Sequence, residues 1–214
     1  MINQIDEKLP QKLFQTNGYI HVKDIISKEM SYFLTHVLLR KSSMPDGNKS
    51  SMNNSIDEQV PNCLATMDHE ILFETLQEKL WPEIEFLVGK ELIPTYSYAR
   101  LYKNDNVLEK HSDRPACEIS VTIQLGRSHH YAWPIYMGGT RIDMAEGDGV
   151  VYKGCDIDHW RNKCDGPVNY YSGQVFLHFV DANGPYVKHA GDNLARKCYT
   201  NMYVKNRHIV MESK

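Results

Sequence analysis

No apolar run in the chain approaches the ~20 residues needed to cross a bilayer. The opening residues, MINQIDEKLPQKLF, also lack the uncharged apolar stretch of a secretory signal, so a cytoplasmic location is expected. There is no CxxC pair. The five cysteines, at 63, 117, 155, 164 and 198, are odd in number and scattered, which favours neither a zinc knuckle nor a disulfide framework. Reduced thiols are the expectation. Neither sign of charge dominates: 24 Lys and Arg against 27 Asp and Glu leave −3, which argues against obligate polyanion binding. The tail from Pro185 carries Lys188, Arg196, Lys197, Lys205 and Arg207, but without a recognition helix, zinc finger or aromatic RNA-binding motif. Neither nucleic acid nor a membrane is an expected partner. No internal repeat occurs.

What remains is an ordinary globular composition, 42% hydrophobic and 24% charged over 214 residues, enough for one well-cored domain. Asn17-Gly18 marks a turn, and Tyr19, Ile20, Val22 and Ile25 suggest a short strand. Ser27 reads as the N-cap of a helix to about Arg40, with Met30, Phe33, Leu34, Val37 and Leu38 on its buried face. Residues 41–60, KSSMPDGNKSSMNNSIDEQV, have the composition of a mobile surface loop, long enough to be a lid. Asp68 is expected to cap a second helix through Ile71, Leu72, Leu76 and Leu80, which Pro82 should kink or restart. After Pro94 the pattern turns to short strands: TYSYARLY, CEISVTIQL, YAWPIYM, RIDM, DGVVYKG and GQVFLHFV, punctuated by Gly, Asp and Asn. Helices followed by consecutive strands predict an antiparallel sandwich or small barrel, mainly β with N-terminal helices (α+β).

Just ahead of the CEISVTIQL strand stands EKHSDRP. In an extended segment His111 and Asp113 project to the same side and can meet one ion. His159 follows the strand-like run GDGVVYKGCDID, which antiparallel folding can return to the same barrel mouth. Two imidazoles and one carboxylate on one face of an octahedron suit ferrous iron and leave adjacent positions open for a cosubstrate and oxygen. A structural zinc site would close its shell.

The stretches NGYIHVKDIISKE, YARLYKNDNVLEKHSD, GDGVVYKGCDIDHWRN and GQVFLHFVDANG resemble the iron(II)- and 2-oxoglutarate-dependent dioxygenases, nearest to their prolyl-4-hydroxylase-like members. The resemblance implies a double-stranded β-helix (jelly-roll, cupin-like) barrel. It also implies a single oxygenase domain over 1–214: helical support at 1–93 with the loop 41–60, the core at 94–184, and a tail at 185–214. It implies iron ligation by His111, Asp113 and His159, with 2-oxoglutarate and O2 as cosubstrates. The family commonly places an Arg or Lys about ten residues after the distal histidine to hold the far carboxylate of 2-oxoglutarate; here Val168, Asn169 and Tyr170 stand there. Arg161 is the substitute, aimed inward by same-face alternation with His159 and able to grip a carboxylate bidentately. Tyr102 matches a tyrosine that prolyl-hydroxylase-like members use as a hydroxyl donor to the cosubstrate, and Gln174, Arg100 and Thr122 are further candidates.

Other residues have competing readings. Arg114 stands as a ligand for an anionic substrate group, a partner of Asp113 or a solvent position. His178 shares even spacing with Gln174 and Phe176, with core packing as the plainer role. His129 and His130 read as a loop pair, and Trp133 and Trp160 as pocket wall or core. The expected function is hydroxylation of a peptide, with a prolyl residue as the nearest analogy, or of a small metabolite. The alternatives are a cupin-like metal or small-molecule binding or sensor module without turnover of the oxo acid, and a cupin-type metal enzyme using none.

Overall fold

The computed structural model describes residues 8–50 and 54–192. Three helices, α1 (Leu9–Asn17), α2 (Lys28–Ser42) and α3 (Ile71–Val88), accompany ten strands. The strands are β1 (Tyr19–Val22), β2 (Ala65–Asp68), β3 (Leu92–Lys103), β4 (Leu108–His111), β5 (Ile119–Arg127), β6 (Ile135–Met137), β7 (Thr140–Ile142), β8 (Gly149–Lys153), β9 (His159–Arg161) and β10 (Tyr171–Asp181). They form a six-stranded antiparallel sheet, β1-β8-β5-β10-β3-β2, opposed by a four-stranded one, β4-β9-β6-β7. This is the double-stranded β-helix expected from the sequence.

Alternation sorts the large sheet into two unlike faces. Ala99, Leu101, Val121, Ile123, Leu125, Val151, Val175 and Leu177 join Leu34, Leu38, Phe73, Leu80 and Ile84 in one apolar core, so this face is roofed by α2 and α3. Each fully buried Leu, Ile or Phe there contributes about 1.5–3 kcal/mol. The alternate positions form the other face. Cross-strand register pairs Gln174 with both Arg100 and Gln124, Phe176 with Tyr98 and Thr122, Ser172 with Tyr102, and His178 with Ser120. This face of the large sheet is therefore lined mostly by polar and aromatic groups along β3, β5 and β10, while the largest apolar cluster lies on the helix side.

Several local expectations change. A first helix, α1, precedes the turn at Gly18; it buries only Phe14, too little to give a periodic signal. Ser27 does cap α2, its Oγ accepting from Met30 N at 3.2 Å. Asp68 does not cap α3. It ends β2, opposite Tyr98, and its carboxylate accepts from Ser50 Oγ at 2.8 Å, so strand pairing delays the helix start and Glu70 is the N-cap. Pro82 neither breaks nor restarts α3, because Leu80, Trp81, Ile84, Leu87 and Val88 on both sides of it are buried in one core. That packing outweighs the ~3 kcal/mol cost of an interior proline.

The 41–60 stretch is less free than its composition suggests. Its first two residues complete α2, Lys49 bridges to Ile56, and Asp57 and Val60 are buried. Residues 51–53 lie outside the described residues, as do Arg196, Lys197, Cys198, Lys205 and Arg207 of the basic tail. Among the described residues no helix is long and apolar enough to cross a membrane, and the four described cysteines are free thiols.

One carboxylate ties the chain leaving β1 to the turn before β8. Asp148, just before β8, accepts from Lys23 Nζ (2.7 Å), Ala145 N (2.9 Å) and Asp24 N (3.2 Å). Asp148→Ala removes the shared acceptor of two part-buried backbone N–H groups and of Lys23, and is expected to cost about 1–2 kcal/mol. Urea denaturation reads this as a lower midpoint, and an unchanged midpoint contradicts it.

Candidate metal centre

β9 carries only three residues. His159 and Arg161 point into the barrel, 3% and 1% exposed, while Trp160 lies on the outer side, stacked on Tyr136 with ring centroids 5.1 Å apart. β4 pairs antiparallel with β9, Leu108 opposite Arg161 and His111 opposite His159. Three steps on β4 thus oppose two on β9, which is a β-bulge. Residues three apart on a regular strand face opposite sides; the bulge turns His111 to the same inner side as Leu108.

The consequence is a three-ligand cluster. One ligand atom from each of His111, Asp113 and His159 lies within 4.8 Å of the others. The Nε2 atoms of His111 and His159 stand 3.7 and 3.5 Å from Asp113 Oδ1, and the two rings are 4.3 Å apart. In both histidines Nδ1 faces a backbone carbonyl, Glu109 O at 2.8 Å and Ile157 O at 3.0 Å. A carbonyl only accepts, so each Nδ1 carries a proton and each ring turns its Nε2 to the cluster. Burial, with the neighbouring His159 second, holds the His111 pKa below its ordinary value. Burial raises the Asp113 carboxyl, but hydrogen bonding and charge from His159 outweigh it, and its pKa is lowered overall. The two shifts favour a neutral His111 imidazole and an ionised Asp113, the forms in which these two side chains bind a metal.

Asp113 is positioned from behind. Its backbone N–H donates to Gly154 O at 2.8 Å, and Ser120 Oγ donates to its Oδ2 at 3.0 Å. Ser120 Oγ also lies 2.9 Å from His178 Nδ1, placing His178 on the inner face in a polar contact rather than in the apolar core. Burial takes the His178 imidazole down to about 4, so it is neutral and donates to Ser120, leaving the serine proton for Asp113. Cys117, near Asp113 and His178, contacts Tyr96 Oη at 3.1 Å, and burial pushes its pKa up so that it stays a thiol.

The guanidinium of Arg161 sits in the same lumen beside Tyr102, Trp133 and Tyr170. Nη1 donates to Trp133 O at 2.6 Å, and the group lies over the Trp133 ring. Nε and Nη2 are buried and have no partner. Tyr102, fully buried, accepts from Arg100 Nη1 at 2.7 Å, and among the described residues nothing accepts its own proton. Arg161 and Tyr102 thus both carry unspent donors. Gln174 lines the lumen too, with its amide taken up by Gln124 (2.6 Å) and Thr122 (3.3 Å).

Arg114 lies outside this cluster, over the Tyr96 ring and paired through both Nη atoms with Asp192. No residue pattern points to Asp57, which occupies Arg100, nor to Gly154, whose role comes from space rather than chemistry.

No family model and no curated protein matches the sequence. Solved structures match in fold. A prolyl-4-hydroxylase from Pseudomonas putida aligns with a TM-score of 0.58 and 11% identity over 80% of this chain and 98% of its own. The epimerase SnoN of nogalamycin biosynthesis, solved with Fe3+, alpha ketoglutarate and nogalamycin RO, gives 0.64 and 10% over 82% and 84%. EctD from S. alaskensis, solved with 2-oxoglutarate and 5-hydroxyectoine, gives 0.62 and 15% over 85% and 79%. These likenesses establish the fold.

A Cβ at Gly154 would stand 2.1 Å from Cys117 O and 2.6 Å from Asp113 Oδ2. Gly154→Ala is therefore expected to displace Asp113 and lower divalent-ion affinity about tenfold or more with far-UV circular dichroism preserved; wild-type affinity contradicts it. For His178, a folded pKa of about 4 lies below the unfolded value near 6.5. Its stabilisation is full above pH 6.5 and lost as pH falls toward 4, on the order of 2 kcal/mol between pH 7 and 5. Metal-free wild type should lose that much more than His178→Gln over this range in urea titrations. Equal losses contradict it.

Proposed function

We propose that the chain is an iron(II)- and 2-oxoglutarate-dependent oxygenase, with His111, Asp113 and His159 as metal ligands and Arg161 with Tyr102 as the receptor for the far carboxylate of the cosubstrate. The observation that carries this is the buried Arg161 guanidinium with two nitrogens unspent, beside a tyrosine proton with no acceptor. Burying an uncompensated cation costs several kcal/mol, and an anion that enters recovers it. Charge arithmetic points the same way: a divalent ion on Asp113 leaves about one positive charge, Arg161 adds one, and a dicarboxylate neutralises both.

The donor set fits the metal. Two neutral imidazoles and one carboxylate leave half of an octahedron free, and iron(II) there supplies oxygen activation coupled to decarboxylation of a 2-oxo acid. The protein's own residues do the rest. Ser120 holds Asp113 in register, the two backbone carbonyls fix the imidazole tautomers, and Arg161 and Tyr102 set the reach of the dicarboxylate from the metal. Gln174 and Gln124 brace the lumen floor. The usual basic residue about ten positions beyond His159 is absent, and Arg161 answers that departure by standing on the distal-histidine strand itself. This also weighs against a binding module without oxo-acid chemistry, whose main support is the missing anchor.

Overall, 2-oxoglutarate, O2 and R–H would give succinate, CO2 and R–OH. The half-buried Tyr96, Tyr98 and Phe176 offer aromatic surface on the lumen face for an organic substrate. The fold shared with prolyl hydroxylases supports a peptidyl residue as R–H, with small metabolites as the other class to screen.

The test is anaerobic titration of the iron(II)-loaded protein with 2-oxoglutarate, read by its visible charge-transfer band, followed by succinate release in air with candidate peptides and metabolites. Arg161→Met should weaken 2-oxoglutarate binding at least thirtyfold, about 2 kcal/mol, with iron binding kept, while His159→Ala should abolish the iron site. Undiminished binding by Arg161→Met removes the proposed anchor, and absence of the band in wild type removes the oxygenase.

A further inference from the structure

The stretch from residue 54 to 64 brings one carboxylate to the lumen. Asp57 Oδ1 accepts from the backbone N–H groups of Gln59 (2.9 Å) and Val60 (2.8 Å), a local turn that fixes the side chain. Its Oδ2 accepts from Arg100 Nε at 2.7 Å, lies 2.6 Å from Arg100 Nη2 and takes the Tyr98 hydroxyl proton. Gln59 Oε1 accepts from Nη2 at 3.1 Å. Val60 and Cys63 pack with Tyr102, Leu108 and Trp133, sealing the stretch onto the barrel. The ion pair is deeply buried, its side chains 3% and 4% exposed. Burial raises the Asp57 carboxyl, but the Arg100 charge and the hydrogen bonds outweigh it, so the group is ionised.

With Nε and Nη2 engaged by this strap, Arg100 turns Nη1 to Tyr102 Oη. A guanidinium has donors and no acceptor. The phenol oxygen must therefore accept on that side, and its proton is turned toward the lumen that holds Arg161.

We propose that Asp57 is a positioning residue for the cosubstrate: it clamps Arg100 so that Tyr102 presents its proton to the incoming carboxylate. This rests on the assignment of Tyr102 and Arg161 as the carboxylate receptor. Without Asp57, Arg100 swings free and the Tyr102 hydroxyl loses its fixed polarity.

A double-mutant cycle separates this from a structural role. Dissociation constants for 2-oxoglutarate are measured anaerobically by calorimetry on the full-length iron(II)-loaded protein for wild type, Asp57→Asn, Tyr102→Phe and the double variant. Each single change should weaken binding about tenfold, and the double also about tenfold rather than a hundredfold, because both remove one hydroxyl contact. Additive losses, or wild-type binding by Asp57→Asn, overturn the inference. So does wild-type binding by Tyr102→Phe when Arg161→Met still weakens it, an outcome that leaves the oxygenase assignment standing. Failure of wild type to bind 2-oxoglutarate overturns both. Asp57→Asn leaves a buried charge unpaired; if it does not fold, Asp57→Asn with Arg100→Gln removes both charges and takes its place in the cycle, with the same non-additivity with Tyr102→Phe expected.

Discussion

The antiparallel pairing of β4 with β9 is the constraint on which the site depends. One three-residue strand delivers both a metal-ligand candidate and a guanidinium to the same face, and the bulged partner turns His111 to meet them. A one-residue slip would send His159 and Arg161 to solvent and bring Trp160 inside. The outer stack of Trp160 on Tyr136 and the inner packing of Arg161 on Trp133 both oppose that slip. The aromatic residues thus act on the function through register.

The polar lumen is expensive, and the helix-covered face of the large sheet offsets it. Burying Arg100, Asp57, Gln124, Gln174, His178 and Arg161 adds little net stability, since such groups at best recover their desolvation through hydrogen bonds. All but one recover it within the protein. Arg100 has Asp57, the two glutamines have each other, and His178 has Ser120. Arg161 alone keeps two nitrogens unspent. Among these charged groups Arg161 is the one left with open donors, and what it lacks is negative charge.

Much of this was legible in the sequence. CEISVTIQL and GQVFLHFV read as strands, Ser27 marked its helix, and the two-residue spacings of His111 with Asp113 and His159 with Arg161 placed each pair on one side. What the sequence hid was non-local. Asp57 lies in a stretch whose composition reads as solvent-facing, and only the meeting with Arg100 over a long separation buries it. Gly154 shows nothing until the Asp113 carboxylate is found against its Cα. Pro82 and Asp68 misled because tertiary packing and strand pairing overrode local propensity. The β4 bulge leaves no trace in residue type, although without it His111 would face outward.

The central claim is that the unspent donors of Arg161 and Tyr102 exist to receive the carboxylate of a dicarboxylate chelated at the triad. A crystal structure of the anaerobic iron(II) complex with 2-oxoglutarate tests it most directly. The expected density shows the metal on His111 Nε2, Asp113 and His159 Nε2, and the far carboxylate within hydrogen-bonding distance of Arg161 Nε and Nη2 and of Tyr102 Oη. A far carboxylate bound elsewhere, with those Arg161 nitrogens still unpartnered, would contradict it.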